Sequence, residues 1–89
     1  MDTVNAAGIK EVLKNNTDKL RLVNLWATWC GPCIAEFSDL VTLNHTYRDR
    51  GLEFVSISAD EPARKDKALK FLQGKQSSGL NFIYTEDDK

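Results

Sequence analysis

The stretch LVNLWATWCGPCIAEF, residues 22–37, decides the fold because its hydrophobic period changes in the middle. Its first half is a short apolar run bounded by polar residues, which is typical of a buried central strand. From Gly31 onward the apolar residues recur at helical spacing. The only two cysteines of the chain, Cys30 and Cys33, lie where the strand pattern becomes the helix pattern. That spacing suits two thiols that form a disulfide with each other and open it again.

The residues on either side continue the alternation of helix and strand. The pattern predicts a helix at residues 6–16, a buried central strand at 20–27, a second helix at 31–50 and a second strand at 52–58. A third helix at 62–74 and a third, short strand at 80–85 are predicted to follow. Gly51 and Gly74 are predicted to end helices, and Pro62 suits a first helical turn. The apolar faces of the first two helices are predicted to consist of Ile9, Val12, Leu13, Ile34, Phe37, Leu40, Val41 and Leu43. This order predicts an α/β fold with parallel strands flanked by helices.

Composition limits the class of protein. With 89 residues, 42% hydrophobic and 28% charged, the chain is predicted to form one domain over residues 1–89. A net charge of −1, with both signs scattered, gives no indication of a nucleic-acid or membrane-surface partner. No apolar run is long enough to span a bilayer, and the N-terminus does not resemble a secretory signal. Composition therefore does not indicate the cellular compartment of the protein.

The cysteine pair predicts redox chemistry. If Cys30 ends the strand and Cys33 lies in the first turn of the helix, the helix dipole lowers the pKa of the Cys30 thiol and favours its thiolate. Cys33 is then placed to close a disulfide with it. Gly31 allows a tight turn beside the sulfurs, and Pro32 needs no amide hydrogen in the first helical turn. Exchange through a mixed disulfide requires no metal and no organic cofactor.

Two other uses of a CxxC pair fit the sequence less well. A zinc site usually has four ligands, and the chain offers a single histidine, His45, far along the second helix. We expect His45 to be a surface residue or a hydrogen-bonded core residue. Attachment of a c-type haem needs a histidine directly after the second cysteine, where Ile34 stands.

The segment NLWATWCGPCIAEF resembles the active-site segment of the thioredoxin superfamily, and most closely its TlpA/ResA-like branch of bacterial thiol–disulfide oxidoreductases. The resemblance extends through LEFVSISAD and covers roughly residues 18–86. It implies a thioredoxin-like fold with Cys30 as the exposed nucleophile and Cys33 as the resolving thiol. It also implies that Trp29 packs beside the site and shields it.

Two positions favour this branch. Asn24 stands where typical thioredoxins have a buried aspartate, and Glu36 follows the second cysteine by three residues, as is usual in TlpA-like proteins. Glu36 lies one helical turn from Cys33, so a partly buried carboxylate there would accept the resolving thiol's proton. The alternative is an ordinary solvated carboxylate. Trp26 is expected to be a core residue, and Ser38 replaces a proline that kinks this helix in many family members.

The end of the chain departs from the family pattern. Thioredoxin-like domains continue with a cis-proline loop, an antiparallel strand pair and a last helix. Pro32 and Pro62 are the only prolines, and neither suits that loop. We therefore expect a partial domain that recognises protein substrates weakly. One edge of the strand at 20–27 would be unpaired, which invites self-association.

The predicted function is reduction of protein disulfides, since the Gly-Pro dipeptide between the cysteines resembles that of thioredoxin. Its partners would be a disulfide-containing protein substrate and an upstream thiol electron donor. The resemblance implies a periplasmic or other extracytoplasmic location. An oxidant or isomerase of the same fold and a redox-inactive interaction domain are the alternatives. A peroxiredoxin-like peroxidase would not need a resolving cysteine at this spacing.

Overall fold

Strands and helices alternate along the chain. The structure, a computed structural model, describes residues 2–14, 18–77 and 79–86. The elements are β1 Asp2–Val4, α1 Ala6–Lys14, β2 Leu20–Trp26, α2 Gly31–Tyr47, β3 Leu52–Ser58, α3 Lys65–Lys75 and β4 Leu80–Tyr84. A 3-10 turn at Arg48–Arg50 follows α2, and another at Pro62–Arg64 precedes α3.

The strands form one parallel sheet in the order β1-β4-β3-β2. β2 and β3 pair along their whole length, from Leu20 opposite Leu52 to Trp26 opposite Ser58. The predicted α/β class with parallel strands is therefore confirmed. Within the described ranges β2 has a neighbour on one side only, which agrees with the unpaired edge expected for the strand at 20–27, although its apolar pattern is typical of a central strand. Its apolar residues contact both clusters of the sheet, Leu22 and Trp26 on one face and Val23 on the other.

A hydrophobic cluster covers each face of the sheet. Trp26 and Phe54 pack with α2 and α3 through Phe37 and Leu72 on one face. On the other face Val4, Val55 and Ile57 pack against the α1 residues Ile9 and Val12. Neighbouring β3 residues enter opposite clusters because side chains alternate along a strand. β3 is therefore buried on both sides, and it is the most buried strand of the sheet.

The observed elements confirm some of the predicted elements and boundaries and correct others. β1 was not predicted, because three residues carry no recognisable hydrophobic period. The short strand predicted at 80–85 is confirmed as β4, which lies inside the sheet between β1 and β3. Gly74 does not end α3, which continues to Lys75 and is capped by Gln76 in the left-handed conformation at φ 55°. Gly51 does end the second helical segment, at φ 95°. Residues 15 and 16 of the first predicted helix lie outside the described residues.

Two leucines predicted to be on buried helix faces are exposed. Leu43 is 40% exposed and Leu13 is 64% exposed. In α2 the buried positions are Phe37, Val41 and Asn44, which follow one another at intervals of four and three residues along one face. Polar Asn44 therefore occupies the inward position that was predicted for Leu43.

Among the helices of the described residues, none is long and apolar enough to cross a membrane.

Gly79 provides a test of how β4 docks. Its φ is 98°, and a Cβ built there would lie 2.6 Å from the backbone oxygen of Phe54. We expect Gly79→Ala to lower the free energy of unfolding by about 1–3 kcal/mol, because a side chain is strained in that conformation. The matched control is Gly74→Ala in α3, where the added Cβ meets no atom within 4 Å.

Replacing Gly74 should instead raise the free energy of unfolding by roughly 0.5–1 kcal/mol, through helix propensity. Urea unfolding followed by circular dichroism measures both values. Equal effects of the two substitutions would contradict this account of Gly79.

Candidate active site

The site is built on the turn between β2 and α2. The Ala59 N–H donates to the Trp26 carbonyl at 2.7 Å, which continues the β2–β3 pairing by one step. The chain then turns, and the Cys30 N–H donates to the Ala27 carbonyl at 3.1 Å. These two hydrogen bonds lead the chain from the end of the sheet into the first turn of α2.

Cys30 and Cys33 are brought together as predicted. They form a disulfide, and their Cα atoms are 5.3 Å apart. Cys30 is the N-cap residue of α2, with φ −97° and ψ 98°. Its Sγ accepts a hydrogen bond from the Cys33 N–H at 3.3 Å. Since helix N-terminal amides favour negative charge, this position stabilises a thiolate on Cys30 once the disulfide is reduced.

The residues around the sulfurs differ in burial. Gly31 and Pro32 are exposed in the first turn of α2, with Pro32 at a position that needs no amide hydrogen. Trp29 is 73% exposed, so its ring faces solvent. Trp26 is 2% exposed and belongs to the core cluster, where its ring centroid lies 5.0 Å from that of Phe37. The two tryptophans therefore have different surroundings.

Asn24 and Glu36 lie on the two elements that meet at the site. Asn24 is partly buried on β2, and its Nδ2 is buried without a hydrogen-bond partner among the described residues. Glu36 is exposed on α2, so the partial burial considered for it is not observed. α2 continues without a break through Ser38, whose hydroxyl accepts a hydrogen bond from Lys75 Nζ at 2.8 Å.

His45 lies far from the cysteines, near the C-terminal end of α2. Its Nε2 is 3.1 Å from the Gln76 carbonyl oxygen. In the part of the chain that the structure describes, no group of three histidine, cysteine, aspartate or glutamate side chains is arranged to hold a metal ion.

Sequence reasoning missed Asp60, which follows β3 and is 2% exposed. The Thr28 amide lies 3.2 Å and 3.0 Å from its two carboxylate oxygens. The hydroxyls of Thr28 and Ser58 donate to the same carboxylate at 2.5 Å and 2.6 Å. A single aspartate after a strand matches no motif, and only the pairing of β2 with β3 brings it to the turn.

The pKa of Asp60 reflects two opposing effects. Burial raises it, but the hydrogen bonds from Ser58 and Thr28, together with the positive charge of Lys67, outweigh burial. The pKa of Asp60 is therefore below its ordinary value, and the carboxylate is charged at neutral pH.

Comparisons with known proteins identify the family of the chain. The AhpC/TSA family matches residues 3–89, and the chain belongs to that family. A ResA thiol–disulfide oxidoreductase of Bacillus thuringiensis is 37% identical over 54 residues, which cover 61% of this chain and 31% of that protein. A thioredoxin-family thiol:disulfide interchange protein of Chlorobium tepidum is 31% identical with a TM-score of 0.65, covering 75% of this chain and 45% of the other.

The fold is also that of a thioredoxin domain from a thiol–disulfide oxidoreductase of Bacteroides vulgatus. The TM-score is 0.72 over 99% of this chain and 61% of the other, at 20% identity. These comparisons confirm the thioredoxin-like fold and the resemblance to ResA-type proteins. The matched stretches cover between 20% and 61% of the length of these related proteins.

Acid stability tests the hydrogen bonds of Asp60. Because its pKa is lower in the folded state, the unfolded chain binds more protons over the acid range. The contribution of Asp60 to stability is therefore complete above the unfolded pKa, about 3.9, and is lost as pH falls through the lower folded value. We expect Asp60→Asn to flatten the fall of the free energy of unfolding between about pH 5 and pH 2.

Urea unfolding at a series of pH values makes this measurement, with Asp39→Asn, at an exposed position of α2, as the control. If Asp60→Asn left the pH profile of the parent unchanged, the low pKa of Asp60 would be wrong.

Proposed function

We propose that this protein is a thiol–disulfide oxidoreductase that acts through Cys30 and Cys33 and works as a reductant. The observation that carries the proposal is the position of Cys30. Its sulfur caps α2, accepts a hydrogen bond from the Cys33 amide and forms a disulfide with Cys33. The names of the ResA and thiol:disulfide interchange relatives support the same chemistry.

The reaction begins with the reduced pair. The Cys30 thiolate attacks one sulfur of a substrate disulfide, forms a mixed disulfide with it, and releases the other substrate sulfur as a thiolate. Cys33 then loses its proton, and its thiolate attacks the Cys30 sulfur. This second step forms the Cys30–Cys33 disulfide and releases the remaining substrate thiolate. Two electrons pass from the pair to the substrate, and an upstream dithiol donor must return them.

The reducing direction rests on the residues between the cysteines. Gly31 and Pro32 form the dipeptide of thioredoxin, whose reduction potential is roughly −270 mV, against about −120 mV for a strong oxidant. An oxidant or isomerase of the same fold is the alternative within this class. The substrates are proposed to be disulfide-containing proteins.

Cysteine variants test the exchange reaction. We expect the reduced parent to release both thionitrobenzoate groups of Ellman's reagent, one in each step of the reaction. Cys33→Ser should stop after the first release as a stable mixed disulfide, and Cys30→Ser should lose the fast first step. Absorbance in a stopped-flow instrument follows the releases, and mass spectrometry identifies the adduct.

The two serine variants serve as controls for each other, because each removes one sulfur from the same turn. If Cys30→Ser reacted as fast as the parent, exchange through Cys30 would be wrong. A parent that released neither thionitrobenzoate group would instead favour the redox-inactive interaction domain.

Glu36 is proposed to accept the proton of Cys33 in the second step. Glu36 lies one helical turn after Cys33 on α2, and its side chain is exposed. The experiment therefore tests whether an exposed carboxylate can accept the Cys33 proton. We expect Glu36→Gln to slow the second release by roughly 100-fold while the first is unchanged. Asp39→Asn is the control, and a second release as fast as the parent's would show that Glu36 is only a solvated carboxylate.

Self-association is proposed to occur through the edge of β2. Leu25 on this strand is 63% exposed, and within the described ranges β2 pairs only with β3. We expect the chain to form dimers at rising concentration, and Leu25→Lys to prevent them, since lysine protects a strand edge. Leu13→Lys, at 64% exposure on α1, is the matched control. Sedimentation velocity over a concentration series makes the measurement, and a parent that stays monomeric throughout would contradict the proposal.

The extracytoplasmic location implied by the TlpA/ResA resemblance is also proposed. Fractionation of the native host, with a periplasmic and a cytoplasmic marker protein, tests it. Recovery with the cytoplasmic marker would contradict it.

A further inference from the structure

The carboxylate of Asp60 connects β3 to the active-site turn. Thr28 supplies two of its donors, the amide at 3.0–3.2 Å and the hydroxyl at 2.5 Å, and Ser58 supplies a third at 2.6 Å. The Asp60 N–H in turn donates to the Ser58 hydroxyl oxygen at 3.1 Å. Every group around the carboxylate in these contacts is a donor. A carboxylate suits this place because it offers two acceptor atoms and no donor.

Thr28 is separated from Cys30 by a single residue. That residue, Trp29, is 73% exposed and supplies little packing to hold the turn. In the described structure, the side-chain hydrogen bonds that fasten the turn to the sheet are those between Thr28 and Asp60. The backbone bond from Ala59 to Trp26, the buried side chain of Ala27 and the packing of Cys33 against the aromatic cluster also hold this part of the chain. Backbone bonds from Cys30 to Ala27 and from Ile34 to Cys30 hold Cys30 at the start of α2, and the hydrogen bonds between Thr28 and Asp60 add to them by holding the residues that lead into the turn.

We propose that Asp60 is a positioning residue for Cys30. Its hydrogen bonds with Thr28 keep the Cys30 sulfur within hydrogen-bonding distance of the Cys33 amide at the N-terminus of α2. This inference rests on the proposed function, in which Cys30 is the attacking thiolate. Asp60 takes no part in the exchange of sulfurs. It acts through Thr28 on the geometry of the turn.

Charge and position act on Cys30 with opposite signs. A nearby carboxylate disfavours a thiolate by like-charge repulsion, so removing its charge alone should favour the thiolate. Loss of the turn's position should disfavour the thiolate, because the Cys30 sulfur then loses the helix N-terminus. The positive charge of Lys67 on α3 lowers the pKa of Asp60, and Glu36 and Glu61 carry exposed carboxylates. All three are unchanged in the variants below.

The experiment uses the full chain carrying Cys33→Ser, in which Cys30 is the only thiol. The rate of alkylation by iodoacetamide is measured against pH, and its midpoint reports the Cys30 thiolate. We expect Asp60→Ala to raise the midpoint by about one pH unit, the scale expected for a lost hydrogen bond to a thiolate. Asp60→Asn should leave the midpoint equal to or below that of the parent. Its oxygen can accept from the Thr28 amide, and the hydroxyls of Thr28 and Ser58 can rotate to accept from its nitrogen.

Two results would overturn the proposal. If both substitutions lowered the midpoint, Asp60 would act on Cys30 only as a charge. If neither moved the midpoint while both lowered the urea concentration at half unfolding, its role would be general stability. Should Asp60→Ala fail to fold, Thr28→Val carries the test. It removes one donor and keeps the charge, so the midpoint should rise, whereas Thr28→Ser should match the parent.

The alkylation midpoint of the parent, the chain with Cys33→Ser alone, distinguishes a failure of the proposed function from a failure of this inference. A parent midpoint near 8.5, the ordinary value for a free cysteine, would contradict the proposed activation of Cys30. The shift between the parent and Asp60→Ala would still decide whether Asp60 positions that residue.

Discussion

The pairing of β2 with β3 is the constraint on which the site depends. Seven residues of each strand lie side by side in parallel, so the two strands end together at Trp26 and Ser58. The residues that follow are thereby brought into contact, and Asp60 reaches Thr28. A register shift of one residue would turn each β2 side chain to the opposite face of the sheet. The same shift would remove Trp26 from its cluster and separate Thr28 from Asp60.

The core beneath the site fixes α2 in the same way. Phe37 is fully buried between the rings of Trp26, Phe54 and Phe71, with centroids 5.0–6.1 Å away. Cys33 packs against the edge of this cluster. The first turn of the helix therefore rests on a packed aromatic base, and Cys30 lies at its open end. Both cysteines are half-buried, so Cys30 is less exposed than the family resemblance implies, and its sulfur lies at the helix N-terminus while Cys33 contacts the core cluster.

The sequence predicted those strands and helices that are long enough to show a hydrophobic period. The changes from strand to helix at Cys30 and back to strand at Leu52 are recognisable, because seven strand residues and seventeen helix residues each repeat their pattern. The cysteine spacing indicated the Cys30–Cys33 disulfide in the same local way. β1 was missed because three residues show no period. The apolar pattern of β2 indicated a central strand because such a pattern is the same at the edge and in the centre of a sheet, and its unpaired edge was expected only from the family resemblance. Asp60 could not be found, since its partner lies 32 positions away and the pair meets only through the β2–β3 register.

The reduction potential of the Cys30–Cys33 pair tests the central claim most directly. The chain would be equilibrated in glutathione and dithiothreitol buffers, and the oxidised fraction measured after acid quenching and alkylation. The account of a reductant predicts a reversible two-electron couple near or below roughly −250 mV. A potential above about −180 mV would identify an oxidant or isomerase and contradict the reducing direction. If no reversible couple were found, disulfide exchange at this pair would itself be wrong.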